Sequence, residues 1–232
     1  MNDLTPYAGR WIALIGEQIV GVGHTAEEAL QAAQHNRPKE RAKLAFVEPA
    51  GGELLPFSPV LDRLRPYLEQ AMPVYIVGGA VRDALLGRAS KDLDFVKPRG
   101  AVKLSFAIGD KLNRPAYALD KERDTGRVVL PEEGVTLDFA RFRGPDLAAD
   151  LRARDFTINA LALPVTARTR SAIIDTTGGL NDLEARQVRI ITEEALTKDA
   201  VRALRAVRLA ASLNFRLTAD TRNAIIAART LL

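Results

Sequence analysis

Cysteine is absent from the chain, and histidine occurs only at His24 and His35. Without cysteine there are no disulfides, no thiolate nucleophile and no cysteine-built zinc site. Two histidines, one just before a predicted helix and one near its end, argue for surface or capping roles and against a histidine-rich metal centre. No stretch approaches the roughly 18 apolar residues of a membrane span. The opening MNDLTPYAGRW lacks a basic segment followed by an apolar one, so no secretory signal is expected and a cytoplasmic location is. Aromatic residues are only 6% of the 232 positions, yet 47% are hydrophobic, enough for a sizeable core. One-sided charge is also lacking, since 33 Lys and Arg face 29 Asp and Glu. Residues 1–72 hold 7 basic and 9 acidic side chains, while 73–144 and 145–232 each hold 13 and 10. The last two thirds therefore lean basic, which is compatible with a polyanionic partner without demanding one.

Residues 10–48 read as a small unit. Trp11–Ile15 and Gln18–Val22 flank Gly16-Glu17 and predict a hairpin. Thr25 with Glu28 has capping-box spacing for a helix running to about His35, and Lys43–Val47 predicts a strand. Pro49, Gly51 and Gly52 then break the chain, and no chemical constellation stands out in this unit. Beyond it, Leu61, Leu64 and Leu68 mark an amphipathic helix, and Val74–Val77 a buried strand. A helix over Ala80–Leu86, a strand over Leu93–Val96 and a helix over Ala101–Leu112 follow. Arg127–Leu130 and Val135–Arg141 predict strands, Arg154–Leu163 a helix, and Ile173–Ile191 a strand–loop–strand passage. Everything after Thr197 reads as helical.

Five motifs could carry chemistry. Gly78-Gly79 between a strand and a helix lets backbone approach a ligand, and Arg82 could add a charged contact to a phosphate. A tight turn would look the same. Asp92 and Asp94 are two apart on a predicted strand and share a face, a pair suited to Mg²⁺ or to a solvated strand end. Asp138 alternates with Val135, Leu137 and Phe139 and, if its strand lies beside that of Asp92, brings in a third carboxylate for two-metal phosphoryl chemistry. Arg154, Asp155 and Asn159 could reach a triphosphate and a ribose, or serve as a helix start. Asp199, Arg202, Arg205 and Arg208 recur every three residues along one helix face, as a ligand row or a solvated stripe.

In order and spacing, GGAVRDALLGR, KDLDFV, the strand Asp138, RDFTINALA, DTTGGLNDLEARQVRII and DAVRALRAVRLAASLNF resemble the head and neck of class II tRNA nucleotidyltransferases. That family comprises the CCA-adding enzymes and the bacterial poly(A) polymerases. The resemblance covers roughly residues 55–232. It implies an α/β fold: a polymerase-β-like nucleotidyltransferase head, with a mixed or antiparallel sheet and flanking helices, followed by a helical neck. Residues 1–50 would be a separate small α+β module, 51–195 the head and 196–232 the neck.

The resemblance also implies roles. Asp92, Asp94 and Asp138 would hold Mg²⁺. Gly78, Gly79 and Arg82 would face the triphosphate, and Arg154, Asp155 and Asn159 the phosphates and ribose. Asp199 and Arg202 would read the base, with Arg205 and Arg208 as further nucleotide-facing arginines. A carboxylate accepts from the exocyclic amine of cytosine or adenine, and a guanidinium donates to the ring nitrogen. Uracil and guanine present the reverse pattern and would leave both groups unpaired. The expected substrates are CTP and ATP and the expected acceptor an RNA 3′ end, that of tRNA, with no membrane and no protein partner. Poly(A) synthesis, or nucleotide binding without RNA extension, are the alternatives. The chain departs from the family pattern at Ala153, Lys198 and Ala200, and Lys198 puts a cation beside Asp199.

Overall fold

The structure, a computed structural model, describes residues 3–192 and 201–228. The predicted hairpin is β1 (Arg10–Ile15) and β2 (Gln18–Gly23), and β3 (Lys43–Val47) pairs antiparallel with the other edge of β1. Helix α1 (Ala26–Asn36) packs on this sheet through Ala26, Ala29 and Ala33. Thr25 caps it by accepting from the Glu28 N–H at 3.1 Å. The Glu28 carboxylate reaches back to the N–H of His24, one residue earlier than the capping-box pattern predicts.

The main sheet has seven strands in the order β10-β9-β4-β5-β8-β7-β6. These are β4 (Tyr75–Val77), β5 (Asp92–Lys97), β6 (Ala116–Asp120), β7 (Thr125–Leu130), β8 (Val135–Arg141), β9 (Leu161–Pro164) and β10 (Ile174–Asp175). Only β5 and β8 pair in parallel, and all other neighbours are antiparallel. Helices α2 (Pro59–Leu68) and α4 (Ala101–Leu112) cover one face over Leu93, Phe95, Leu137 and Phe139. The rings of Phe95 and Phe139 stack there with centroids 4.9 Å apart. Part of the opposite face is covered by the N-terminal module. Trp11 of β1 is fully buried and meets Tyr75 of β4 edge-on at 5.5 Å, in a core that also takes in Val77 and Val96.

Three stretches differ from the sequence expectation, the third being Arg216–Leu217, a short strand where only helix is expected. Arg154–Leu163 is not a helix. Helix α5 (Leu147–Arg152) ends before it, a short 3-10 turn spans Thr157–Asn159, and Leu161–Pro164 is strand β9. All four residues of β9 are buried, so both faces of the strand are apolar and no alternation distinguishes it from a helix. The passage after Ile173 contains helix α6 (Gly179–Glu184), which follows β10 and precedes β11 (Gln187–Val188). The neck is helix α7 (Val201–Leu213) and helix α8 (Ala219–Ala228), with a two-residue strand β12 (Arg216–Leu217) between them pairing parallel with β11. Ala206, Leu209 and Leu213 of α7 pack against Phe156, Ile158 and Leu183, which fixes the neck to the loop after α5. Among the described residues no helix is long and apolar enough to cross a membrane.

Candidate active site

The alternation of β5 and β8 builds the site. Leu93 and Phe95 point into the core, so Asp92 and Asp94 point away from it; Leu137 and Phe139 do the same for Asp138. The parallel register sets Asp94 directly against Asp138, and Asp92 against Thr136. The strand beside β5 on its other side is β4, whose Val77 pairs with Asp94 before the chain turns at Gly78 into helix α3 (Gly79–Leu85). Gly78 has φ +73°, a conformation that disfavours any residue with a Cβ. A Cβ there would also lie 3.2 Å from Arg154 Nη1 and 3.3 Å from Asp94 Oδ2. The glycine therefore brings backbone against both groups.

Above the carboxylates lies a cavity of about 380 Å³. Gly78, Gly79, Asp94, Asp138, Arg143, Arg154, Asp155, Asn159, Arg202 and Arg205 line it. Four arginines and three aspartates thus converge on one space. Asp94 makes no hydrogen bond or ion pair among the described residues, and burial pushes its carboxyl above the ordinary carboxylate range. Arg154 opposes that rise, Asp138 and Asp92 add to it, and Arg143 opposes it again. Asp138 is held differently: Arg127, its register partner on β7, donates Nε and Nη2 to the two carboxylate oxygens at 2.7 Å each. This contact raises the arginine's already high pKa.

Buried anchors hold the cationic wall. Asp150 on α5 is wholly buried, accepts from Arg154 at 2.9 and 3.1 Å, and takes the backbone N–H of Arg143 at 3.0 Å. Burial pulls the pKa of Arg143 down, and Arg154 adds to the effect. Asp155 accepts from its neighbour Phe156 N–H at 2.9 Å and from Asn159 at 3.2 Å, and pairs with Arg205 of α7 at 3.2 Å. Beneath, Asp182 accepts from Thr157 at 2.6 Å and pairs with Arg189. Asp175 accepts four backbone N–H groups from residues 177–180. The DTTGGLNDLE segment therefore acts as a clamp on the turn that carries Asp155 and Asn159.

Not every expected residue faces this cavity. The guanidinium of Arg82 donates to Asn159 Oδ1 at 2.6 Å and to Asp83 at 2.8 Å. With Arg208 it lines an adjoining depression of about 190 Å³ that shares Asn159 and Arg205. Asp92 is exposed, on the same strand face as Asp94 but outside the cavity lining. Asp199, and with it Lys198 and Ala200, lies outside the described residues. Sequence reasoning passed over Arg127, Arg143 and Asp150. The i, i+4 spacing of Asp150 and Arg154 was a usable signal for one of them; Arg127 is recognisable only once the β7–β8 register is known.

In class, the molecule is a nucleotidyltransferase-type head joined to a helical neck. Residues 74–189, half of its length, match the Poly A polymerase head domain family, and the chain belongs to that family. It is 43% identical over 147 residues to the CC-adding tRNA nucleotidyltransferase of Geobacter sulfurreducens, covering 63% of this chain and 34% of that protein. It is 40% identical over 167 residues to the A-adding tRNA nucleotidyltransferase of Deinococcus radiodurans, covering 70% of this chain and 36% of that protein. A solved tRNA nucleotidyltransferase in complex with a primer tRNA and an incoming ATP analogue matches with a TM-score of 0.62 and 34% identity, over 72% of this chain and 50% of that one. The chain spans about a third of the length of these curated relatives. Residues 4–50 match a separate family of unknown function, DUF5678.

Proposed function

We infer that the chain transfers CMP and/or AMP from CTP or ATP to the 3′ end of tRNA, releasing pyrophosphate, with no nucleic-acid template. The observation that carries this reading is the register pair Asp94–Asp138 facing a cavity walled by Arg143, Arg154, Arg202 and Arg205. Guanidiniums on one side suit the phosphates of a nucleoside triphosphate, and carboxylates on the other suit the divalent cation that accompanies it. In this reading residues 51–195 are the catalytic head and 196–232 the neck that reads the base. In this reading the activity is a cytoplasmic one.

The donor set fits Mg²⁺. All candidate ligands are carboxylate oxygens, and Asp94 makes no hydrogen bond or ion pair among the described residues, with Arg154 and Arg143 acting on it only through their charge. No group of three or more His, Cys, Asp or Glu among those residues is arranged to hold a metal unaided. Mg²⁺ does not need one, because it binds through one or two carboxylates and completes its shell with water and substrate phosphates. Asp92 and Asp94 would hold it, joined by Asp138 when Arg127 releases that carboxylate. Bound there, Mg²⁺ supplies charge neutralisation at the phosphoryl oxygens and acidifies the attacking hydroxyl.

The protein's own groups do the rest. Arg154 and Arg143 bind the triphosphate, with Asp150 fixing both. Asp155 and Asn159 orient the ribose. Asp199 and Arg202 accept from and donate to the base, which admits cytosine and adenine and rejects uracil and guanine. The 3′-hydroxyl oxygen bonds to the α-phosphorus, the bond to the bridging oxygen breaks, and pyrophosphate leaves. In this reading Asp138, once Arg127 has released it, would help take the hydroxyl proton. The test is extension of tRNA lacking its 3′ CCA by each nucleoside triphosphate with Mg²⁺. CTP or ATP should be incorporated and UTP and GTP refused. Equal use of all four would overturn the base-reading pair, and nucleotide binding without any extension would overturn the transferase reading.

A further inference from the structure

The N-terminal module carries a net negative charge, yet its one dense basic stretch, RPKERAK over residues 37–43, is placed by the fold against the head. Between α1, the start of β3, the loop before β4 and the end of β5 lies a second cavity, of about 700 Å³. Arg41 and Lys43 line it from the module, and Lys97 and Arg99 from the head. Among the described residues none of these four makes an ion pair, although Glu27 and Glu69 also line the space. Arg41, Lys43 and Arg99 are exposed, and Lys97 is half-buried with its pKa lowered by that burial. Unpaired cations gathered at a desolvating cleft attract an anion.

The two halves of this basic rim are not loosely apposed. The shared core of Trp11, Tyr75 and Val96 joins module to sheet and fixes Arg41 and Lys43 relative to Lys97 and Arg99. Lys97 lies three residues beyond Asp94 on β5, about 10 Å along the strand. The odd offset puts the Lys97 side chain on the opposite pleat from Asp94, so the rim sits at the end of β5, past the sealed Val96, rather than on the carboxylate face.

We propose that the seam between the N-terminal module and the head is an RNA-binding surface, at which Arg41, Lys43, Lys97 and Arg99 take the phosphodiester backbone of the substrate RNA. The proposal rests on the reading of the chain as an RNA-extending enzyme for the choice of polyanion. It gives the module a role that its overall charge conceals.

The test measures binding of fluorescently labelled tRNA to the full chain, in EDTA and without nucleotide, so that it does not depend on turnover. Affinity is recorded across a range of salt concentrations for the wild type, for Lys43→Glu with Arg99→Glu, and for the conservative Lys43→Arg with Arg99→Lys. The charge reversal should weaken binding about tenfold or more and flatten the slope of log affinity against log salt by about 0.7 to 0.9 for each lost phosphate contact. The conservative pair should keep the wild-type slope, and extension of a minimal primer with CTP should keep its KM in both variants. An unchanged slope after charge reversal would overturn the proposal. So would polyglutamate competing as well as tRNA at equal ionic strength, because the surface would then favour an acidic protein. Loss of tRNA binding by an otherwise inactive chain would still support the surface while removing the catalytic reading.

Discussion

Strands β5 and β8 present Leu93, Phe95, Leu137 and Phe139 to one face of the sheet and Asp92, Asp94 and Asp138 to the other. The first face is closed by α2 and α4 into a dry core. The second is divided along its length. At one end Asp94 and Asp138 look into an arginine-walled cavity, and at the other Tyr75 and Val96 are sealed under Trp11 of the N-terminal module. Two residues along the same strand, on the same face, thus separate a half-buried carboxylate from an apolar core. The strand pleat decides which residues share a face, but what covers each segment decides whether that face is a site or a seal.

Breaking the site end should have the largest effect. Asp94→Asn should lower kcat about 10³-fold or more, a loss of several kcal/mol in transition-state stabilisation, measured by single-turnover CTP addition. The same substitution should raise stability at neutral pH. The Asp94 pKa is raised in the fold by burial, so the unfolded chain ionises first and the ionised native carboxylate costs stability as pH rises above about 4. The gain from Asn should therefore vanish at low pH and reach its full size above the folded pKa, in melting curves without metal. A variant equally stable at all pH values would remove the desolvation argument.

Breaking the sealed end should act on the fold instead. Trp11→Ala empties the joint between module and sheet and should cost about 3 kcal/mol or more by chemical denaturation. At low temperature, where the chain remains folded, KM for CTP should hold. A matching loss of CTP affinity would mean that the two ends of this face are coupled. The smallest effect is expected at Arg127. Its pair with Asp138 is partly exposed, so Arg127→Ala should change stability by about 1 kcal/mol or less. Releasing Asp138 should nevertheless tighten divalent-cation binding severalfold, measured with Mn²⁺ by electron paramagnetic resonance without substrate. Unchanged Mn²⁺ affinity would show that Arg127 does not restrain the carboxylate.

Much of this was legible in the residues. The alternation in DLDFV and VTLDF assigned faces correctly, because a strand with one apolar side leaves little choice. Thr25 and Glu28 marked a helix start because capping is local chemistry. Where the chain misleads, local pattern competes with tertiary pairing. Leu161–Pro164 lies between β4 and β10, apolar on both faces, and so lost the alternation that identifies a strand. Arg127 looks like any strand arginine until the register of β7 on β8 sets it against Asp138.

By itself the sequence determined the carboxylate face, since the pleat turns every second residue the same way whatever surrounds it, and it determined the family through motifs in a fixed order. Only the tertiary structure decided that β5 and β8 lie side by side and in register, that Asp150 anchors two arginines of the wall, and that a module of net negative charge presents its few basic residues beside Lys97 and Arg99. The strand register and the basic rim depend on contacts between residues tens of positions apart, which no local periodicity encodes; the Asp150 anchor is local in sequence, but only the fold buries it beside the cavity.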